Sequence, residues 1–208
     1  MKHKIKTEAI SLFNLHGISN VSMKKIADGL GISPGNLSYH YKTKADLLAT
    51  IYKEMYAETL DYILPGNTYI TLFHFEEMML KFDNLQQRYA FFFNDIVHII
   101  KTYPEIAKQY ESSNLIRFKD ARKLIDYYIE TGRMQPENEM IDYNKTIYTV
   151  WMTSTFWQSQ KLAIQTKDYT VNKCPSIEML WTLFLPYLTA KGLEEYQQLR
   201  QFVKLPNT

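Results

Sequence analysis

The sequence contains one cysteine, Cys174, so it has no intramolecular disulfide. It also lacks a long apolar run, because the stretch Ala90-Phe91-Phe92-Phe93 is far too short to cross a bilayer. The positively charged start of the chain is not followed by an apolar segment of signal-peptide length. We therefore expect a cytoplasmic protein that has no membrane partner.

Patterns for metal binding or catalysis are missing as well. The five histidines are scattered without the spacing of a metal site, and the lone cysteine is remote from them. The segment Gly31–Gly35 formally matches the G-x-S-x-G nucleophile elbow, but that motif needs a strand before its serine. Here a helical pattern precedes it, and Pro34 suits the start of a helix. We expect no enzyme, no metal and no cofactor.

No Asn-Gly or Asp-Gly hairpin signal occurs, and no segment alternates apolar and polar residues over the length of a strand. Glycine and proline instead divide the chain into pieces with helical apolar spacing, the last of them bent around Pro186 and Gly192. The fold class is all-α. The predicted helices are 2–16, those that begin after Ser22 and Ser33, that from Thr43 to a break at Pro65, and 69–83, 85–102, 104–131, 140–166 and 176–203.

Charge and aromatic content differ between the first 50 residues and the rest. Residues 1–50 contain no arginine but seven lysines against three acidic residues, a net charge of +4 that leaves −2 for the remainder. Only three of the 30 aromatic residues lie in this segment. The basic segment is expected to meet a polyanion, although an ordinary solvated lysine face would have the same charge. The other 27 aromatic residues are enough for a large core or a lined cavity.

Three helix starts follow one another within 25 residues. Ser22 and Ser33 stand at N-cap positions, and Thr43 with Asp46 three residues later forms a capping-box pattern. Gly31 suits a left-handed turn between the second and third helices. The spacing predicts a helix-turn-helix whose third helix exposes a polar face that fits a DNA major groove.

Hydrogen-bonding side chains, backbone amides at the helix starts and flanking lysines make up the predicted DNA surface. Without arginine, the sequence specificity must depend on lysine, Asn36, hydroxyl and methyl contacts, and DNA shape. The residues predicted to contact double-stranded DNA are Ser22, Lys24, Lys25, Ser33, Pro34, Gly35, Asn36, Ser38, Tyr39, His40 and Lys44.

The run from Ile26-Ala27 through Gly31-Ile32-Ser33 and Leu37–Tyr41 to Lys44–Leu48 resembles the DNA-binding domain of the TetR family, over about residues 4–52. The resemblance implies an Ω-shaped homodimer whose third helices bind a palindromic operator. It places Tyr39 and Lys44 at phosphates, Asn36 and Ser38 nearest the base edges, and His40 close to the backbone. Tyr41 stands where the family usually has phenylalanine, and we expect its ring to be buried.

The chain is expected to divide into a helix-turn-helix domain, residues 1–50, and a helical effector-binding and dimerisation domain, residues 51–208. The segment from Tyr89 to Ile100, followed by Tyr103 and Tyr110, resembles the C-terminal domain of a subset of the same family. Its helix is apolar on nearly all sides and is expected at the centre of the domain. Candidate ligand contacts, each of which could instead be plain core, are Phe92, Phe93, Ile96, Trp151, Thr155 and Phe156.

Helix 140–166 carries two stripes at helical spacing. One runs through Ile147, Trp151, Ser154 and Gln158, and the other through Tyr148, Met152, Thr155 and Ser159. Two stripes predict one face for the domain core and one for a second subunit, and the sequence leaves open which is which.

The function predicted from these features is a sequence-specific transcriptional regulator, a repressor released from its operator by a small, mostly apolar ligand. The alternative is a helical protein–protein adaptor with a vestigial DNA-binding head. A gel shift on the protein's own upstream DNA separates the two, because an adaptor would bind only weakly, without sequence preference, and not at all at higher salt.

Overall fold

The computed structural model describes residues 1–60, 62, 69–164 and 175–202. Predictions about Pro65 and Cys174 lie outside these residues. The described chain is all-α, with two isolated β-bridges and no strand, and it includes no helix that is both long and apolar enough to span a membrane. The α-helices are α1 Lys2–His16, α2 Met23–Gly29, α3 Pro34–His40, α4 Lys44–Ala57, α5 Leu72–Arg88, α6 Ala90–Asn94, α7 Ile96–Thr102, α8 Pro104–Glu130, α9 Tyr143–Ala163, α10 Ser176–Phe184 and α11 Ala190–Phe202.

The three predicted helix starts are confirmed. The Ser22 hydroxyl accepts a hydrogen bond from the Lys25 amide at 3.1 Å, and the Ser33 hydroxyl accepts one from the Asn36 amide at 3.2 Å. Thr43 and Asp46 form a complete capping box, with bonds of 2.9 and 3.1 Å between each side chain and the other's backbone amide. These caps satisfy amides that have no partner within their own helix.

Two predicted helix boundaries are wrong. Helix α4 ends at Ala57, because the Thr59 amide and hydroxyl both bond the Tyr56 carbonyl and turn the chain out of the helix. Leu60, which lies beyond this end, is exposed. In the predicted helix 176–203, Pro186 lies in a short 3₁₀ turn that separates α10 from α11, and Gly192 lies in the first turn of α11.

The single helix expected over 85–102 is also a wrong prediction. Helix α5 continues through the expected gap to Arg88, and the apolar segment behind it forms the two short helices α6 and α7, separated at Asp95. A tertiary contact explains the first break, since the Asn14 side chain accepts a bond from the Phe91 amide and donates one to the Arg88 carbonyl, both at 2.9 Å. These tertiary hydrogen bonds outweigh the local preference for a continuous helix.

The chain forms two compact units. The first consists of Met1–Leu60 with Leu85–Ser113, and the second of Asp61–Asn84 with Asn114–Thr208, as far as these are described. The predicted division at residue 50 concerns which segment contacts DNA, and it stays a prediction. Residues 1–50 nevertheless belong to the same compact unit as α6 and α7.

Aromatic side chains join α6 to the helices of the first unit. The Phe91 ring lies 5.2 Å from that of Phe13 in α1, and the Phe92 ring lies 5.2 Å from that of Tyr52 in α4. Tyr89 donates a hydrogen bond to Glu58 at 2.8 Å, and burial together with this bond raises the pKa of Tyr89 to about 12. α6 is therefore packed directly on α1 and α4.

The core of the second unit lies between α5 and α10. The Phe75 ring contacts those of Trp181 and Phe184 edge-on, at 5.0 and 4.7 Å between centroids. Buried Glu76 accepts a hydrogen bond from the Trp181 indole at 2.7 Å and forms an ion pair with Arg200. A charge in this core is tolerated because an opposite charge and a hydrogen bond compensate it.

We expect Gly192→Ala to destabilise the protein by about 1–3 kcal/mol or more. A Cβ atom at Gly192 would lie 2.2 Å from the Arg133 carbonyl oxygen, and that oxygen belongs to the backbone, which cannot rotate away. Denaturant unfolding followed by circular dichroism measures the change. Gly29→Ala is the control, since its Cβ would meet only the flexible end of Glu8 and alanine favours the helix. Equal unfolding midpoints for the two variants would contradict the close approach.

Candidate nucleic-acid interface

The first unit contains a helix-turn-helix formed by α2, the turn at 30–33 and α3. Ile26 and Ala27 of α2 and Leu37 of α3 are buried, and they fix the angle between the helices. Gly31 adopts a φ of +65°, the left-handed conformation predicted for it, and the Ile32 amide bonds the Ala27 carbonyl at 3.1 Å. The turn is closed by its own backbone, so α3 is held in one orientation on α2.

The outward face of α3 is polar. Asn36 and Ser38 are exposed, and Tyr39 is exposed to 86%. His40 is half-buried, and its ring meets that of Tyr39 edge-on at 5.2 Å. A large aromatic side chain without cover on a surface of hydrogen-bonding groups suits a phosphate or base contact. Of the eleven residues predicted to contact DNA, those exposed are Ser22, Lys24, Ser33, Pro34, Gly35, Asn36, Ser38 and Tyr39.

The three remaining predicted contacts, Lys25, His40 and Lys44, are half-buried. The Lys44 ammonium donates a hydrogen bond to the Ile18 carbonyl and lies 5.7 Å from the centre of the Phe13 ring. Burial lowers the pKa of Lys44 from its ordinary value. One of its three donors is thus engaged by the backbone, which holds the ammonium at the start of α4.

Tyr41, at the junction between α3 and α4, is buried as predicted, with 6% of its surface exposed. Burial raises the pKa of its hydroxyl, while nearby Lys6 acts in the opposite direction. Lys6 of α1 forms an ion pair with Glu54 of α4. This ion pair joins α1 to α4.

Family models match nearly the whole chain. Residues 5–51 match the model described as "Bacterial regulatory proteins, tetR family", and residues 52–196 match the one described as "Bacterial transcriptional repressor". The chain belongs to the TetR family. It is a DNA-binding transcriptional regulator of the repressor type and not an enzyme, and its family acts as dimers on DNA operators.

The chain is also similar to individual transcriptional regulators. An HTH-type transcriptional regulator of Staphylococcus aureus strain USA300 is 44% identical over 46 residues, which cover 22% of this chain and a quarter of that protein. The crystal structure of a TetR-family regulator from Marinobacter aquaeolei VT8 is 27% identical, with a TM-score of 0.85 and coverage of 97% of this chain and 98% of that one. A regulator from Saccharomonospora viridis solved in complex with choline has a TM-score of 0.68 at 17% identity, over 88% and 92% of the two chains.

The six residues predicted to contact a ligand fall into both compact units. Phe92, Phe93 and Ile96 lie in the first unit and are buried there. Phe92 is surrounded by aromatic rings, those of Tyr52 at 5.2 Å, Phe93 at 5.6 Å and Tyr110 at 6.1 Å. The structure thus places Phe92 and Phe93 together in an aromatic cluster, while Ile96 is buried in the same unit.

The other three lie on α9 in the second unit. Trp151 donates a hydrogen bond from its indole to Asn114 at 3.1 Å, Thr155 is buried and Phe156 is half-buried. Their role in binding a ligand stays a prediction. Within the described residues, no three His, Cys, Asp or Glu side chains are grouped so as to hold a metal ion.

Sequence reasoning missed the residues that tie α6 and α7 to the DNA-reading half of the unit. The Asn14 side chain of α1 bonds the Arg88 carbonyl of α5 and the Phe91 amide of α6. The Ser19 hydroxyl lies 3.1 Å from the Nε2 atom of His98 in α7. The only available signal was a polar residue at position 14 beside the apolar stripe of α1, which is indistinguishable from an ordinary exposed asparagine.

Proposed function

We propose that this TetR-family protein is a repressor that binds a palindromic operator as a homodimer, with α3 in the major groove, and leaves it when a small, mostly apolar ligand binds. The observation that carries the proposal is the exposed polar face of α3, which is held on α2 by a turn that its own backbone hydrogen bond closes. Eight of the eleven proposed DNA contacts are exposed there or at the cap of α2. A rigid polar helix of this kind fits direct readout of base edges.

Roles within the proposed interface follow from position. Tyr39 and Lys44 contact phosphates, while Asn36 and Ser38 lie nearest the base edges. Because residues 1–50 contain no arginine, the bidentate arginine–guanine contact is not available to this segment. Asn36 pairs best with adenine, so the preferred half-site should include an adenine that Asn36 recognises.

The proposed dimer surface is the exposed part of the second α9 stripe, Tyr148 and Met152, whereas Thr155 of that stripe is buried. Ile147 and Ser154 of the first stripe are buried, whereas Tyr148 and Met152 of the second are exposed to 52% and 44%. The Tyr148 ring also contacts that of Trp151 at 5.3 Å, which extends the apolar surface. A face with large exposed apolar side chains gains most by covering them with a second subunit.

Ligand control is proposed to act through α6. Phe92 packs on Tyr52 of α4, and Phe91 packs on Phe13 of α1. A ligand that enters the aromatic cluster around Phe92 would shift helices that also position the DNA-reading residues. The ligand lowers operator affinity only by its difference in affinity for the two arrangements, about 1–3 kcal/mol in typical regulators. The choline complex of the S. viridis regulator supports a small-molecule ligand for this fold.

Substitutions of Lys44 and Asn36 test the DNA interface. We expect Lys44→Ala to weaken binding to all DNA sequences alike and to lower the salt slope by about one unit, because one phosphate contact is lost. We expect Asn36→Ala to cost about 1–3 kcal/mol on the preferred site and little elsewhere. Fluorescence anisotropy on the protein's own upstream DNA and on an unrelated duplex, at several salt concentrations, measures both.

The matched control is Lys53→Ala, which removes the same charge from an exposed position further along α4. Its salt slope should equal that of the parent protein. A Lys44→Ala variant with unchanged DNA affinity and unchanged salt slope would show that Lys44 does not contact a DNA phosphate. If all variants and the parent bind both duplexes weakly and equally, the adaptor function is favoured instead.

A further inference from the structure

The second unit contains an open cleft with a volume of about 540 Å³ between the start of α5, the loop after α8 and α11. Its lining includes Tyr69 and Phe73 from the first segment, Arg133 from the loop, and Lys191 and Leu199 from α11. None of the six residues proposed above as ligand contacts lines it. The cleft is therefore separate from the aromatic cluster around Phe92.

Arg133 is the central residue of this cleft. The whole residue is only 1% exposed, although charged side chains are rarely buried. Its Nε atom donates to the Glu195 carboxylate at 2.6 Å, and its Nη2 atom donates to the Tyr69 hydroxyl. Burial acts to lower the pKa of Arg133, but the bonds to Tyr69 and Glu195 outweigh it and raise the pKa, so the guanidinium remains charged.

One nitrogen of this guanidinium has no partner. The Nη1 atom is buried and makes no hydrogen bond to any described residue. A buried donor without an acceptor is unfavourable, and such groups commonly mark a site where a ligand or ion completes the bonding. Arg133 thus has donors left over after its contacts with Glu195 and Tyr69.

The remaining hydrogen-bond donors favour an anion, since the lining itself carries two positive and two negative side chains. Both oxygens of Glu195 are already engaged, one by Arg133 and the other by the Leu72 amide at 2.7 Å. Lys191 is exposed at the rim and donates to the Thr131 carbonyl at 2.6 Å, which leaves further donors on its ammonium. Glu194 also lines the cleft, and its charge is offset by that of Lys191.

Apolar side chains complete the cleft. Phe73 is 48% exposed at the start of α5, and Leu199 of α11 lies on the lining beside it. We propose that the cleft binds a small organic acid, whose carboxylate bonds Arg133 Nη1 and Lys191 and whose apolar body packs on Phe73 and Leu199.

Tyr69 covers the guanidinium of Arg133. The centre of its ring lies 4.9 Å from the Arg133 Cζ atom, and Tyr69 is 65% exposed. Rotation of so exposed a ring loses little packing, and it opens Nη1 to a carboxylate. The carboxylate then bonds Nη1 with one oxygen and takes the place of the tyrosine hydroxyl at Nη2 with the other, and a charged acceptor forms a stronger bond to a guanidinium than a hydroxyl does.

Isothermal titration calorimetry on the full chain tests this site without DNA. The probes are 4-phenylbutyrate, its uncharged amide and inorganic phosphate. We expect the acid to bind about tenfold or more tightly than the amide, because only the carboxylate forms charge-assisted bonds, and more tightly than phosphate, which has no apolar body. No binding of the acid, or equal binding of acid and amide, would overturn the proposal; equal binding of acid and phosphate would overturn the organic-acid class.

Variants locate the site. Lys191→Gln is expected to weaken binding of the acid about tenfold, while Lys119→Gln, an exposed lysine on α8 outside the cleft, leaves it unchanged. Arg133→Gln should abolish binding, and circular dichroism checks that this variant is folded; Lys191→Gln keeps the test decisive if it is not. Tyr69→Ala removes the cover and should bind the acid at least as tightly as the parent. Parent-like binding by Lys191→Gln would overturn the assignment to this cleft.

Discussion

A Tyr148→Glu/Met152→Glu double variant is expected to be a monomer at micromolar concentration and to bind the operator about 100-fold or more weakly than the parent. Both side chains are large, apolar and exposed on one face of α9. Two carboxylates on this face would be desolvated without partners if the faces of two subunits met. The palindrome would then be bound one half-site at a time. Analytical ultracentrifugation and anisotropy titrations measure the two effects.

The control for this variant is Gln160→Glu, at an exposed position near the end of the same helix, about 120° around the helix axis from Tyr148 and about 80° from Met152. It should remain a dimer with operator affinity near that of the parent. If the double variant stays dimeric, the subunits meet on another surface. A stable monomer that still binds a palindrome tightly would contradict the link between dimerisation and DNA binding.

Ser38→Glu is expected to reduce binding to every DNA sequence by about 100-fold or more, since like charges brought together at an interface cost several kcal/mol. Ser38 is exposed on the polar face of α3, where the proposal places the base edges and the nearest phosphates. Unlike Asn36→Ala, this change adds repulsion and should not merely relax specificity. Anisotropy on specific and unrelated duplexes measures the loss.

Ser11→Glu is the matched comparison, because it adds the same charge at an exposed position on α1 of the same unit. Only the small loss expected from a change in overall charge should result, and high salt should reduce it by screening the added charge. Equal losses for Ser38→Glu and Ser11→Glu would mean that net charge, and not the α3 face, determines DNA affinity.

The helix-turn-helix could be predicted in detail because its determinants are local. A hydroxyl at Ser22, Ser33 or Thr43 bonds an amide only three residues away, so sequence spacing alone specifies the cap. The left-handed turn at Gly31 is equally local, since few other residues adopt that φ. Burial of Tyr41 followed from its place at the junction of two helices.

The break between α5 and α6 could not be predicted because its cause is distant in sequence. Asn14 lies 77 residues from the Phe91 amide to which it bonds, and no pattern near Phe91 reports it. The end of α4 depends on Thr59, whose bond to the Tyr56 carbonyl competes with the helix. Apolar periodicity alone therefore predicted helices longer than those observed, both for α4 and for the segment 85–102.

The assignment of the two α9 stripes needed the burial of individual side chains. Each stripe contains one of the aromatic residues Tyr148 and Trp151, so composition alone does not show which stripe is buried. In the structure, Ile147 and Ser154 are buried while Tyr148 and Met152 are exposed. Arg133 was likewise beyond sequence reasoning, because a single arginine after a glycine resembles any surface loop, and only its contacts with Tyr69 and Glu195 reveal its burial.

The most direct measurement of the central claim is the affinity of the purified protein for its own upstream DNA, compared with an unrelated duplex of equal length at about 150 mM salt. For a regulator that binds an operator, we predict at least about 10³-fold tighter binding to the upstream DNA. A footprint should show two symmetric half-sites about one helical turn, or a small multiple, apart. Equal and weak binding to both duplexes, lost as salt rises, would contradict specific operator recognition by the α3 face.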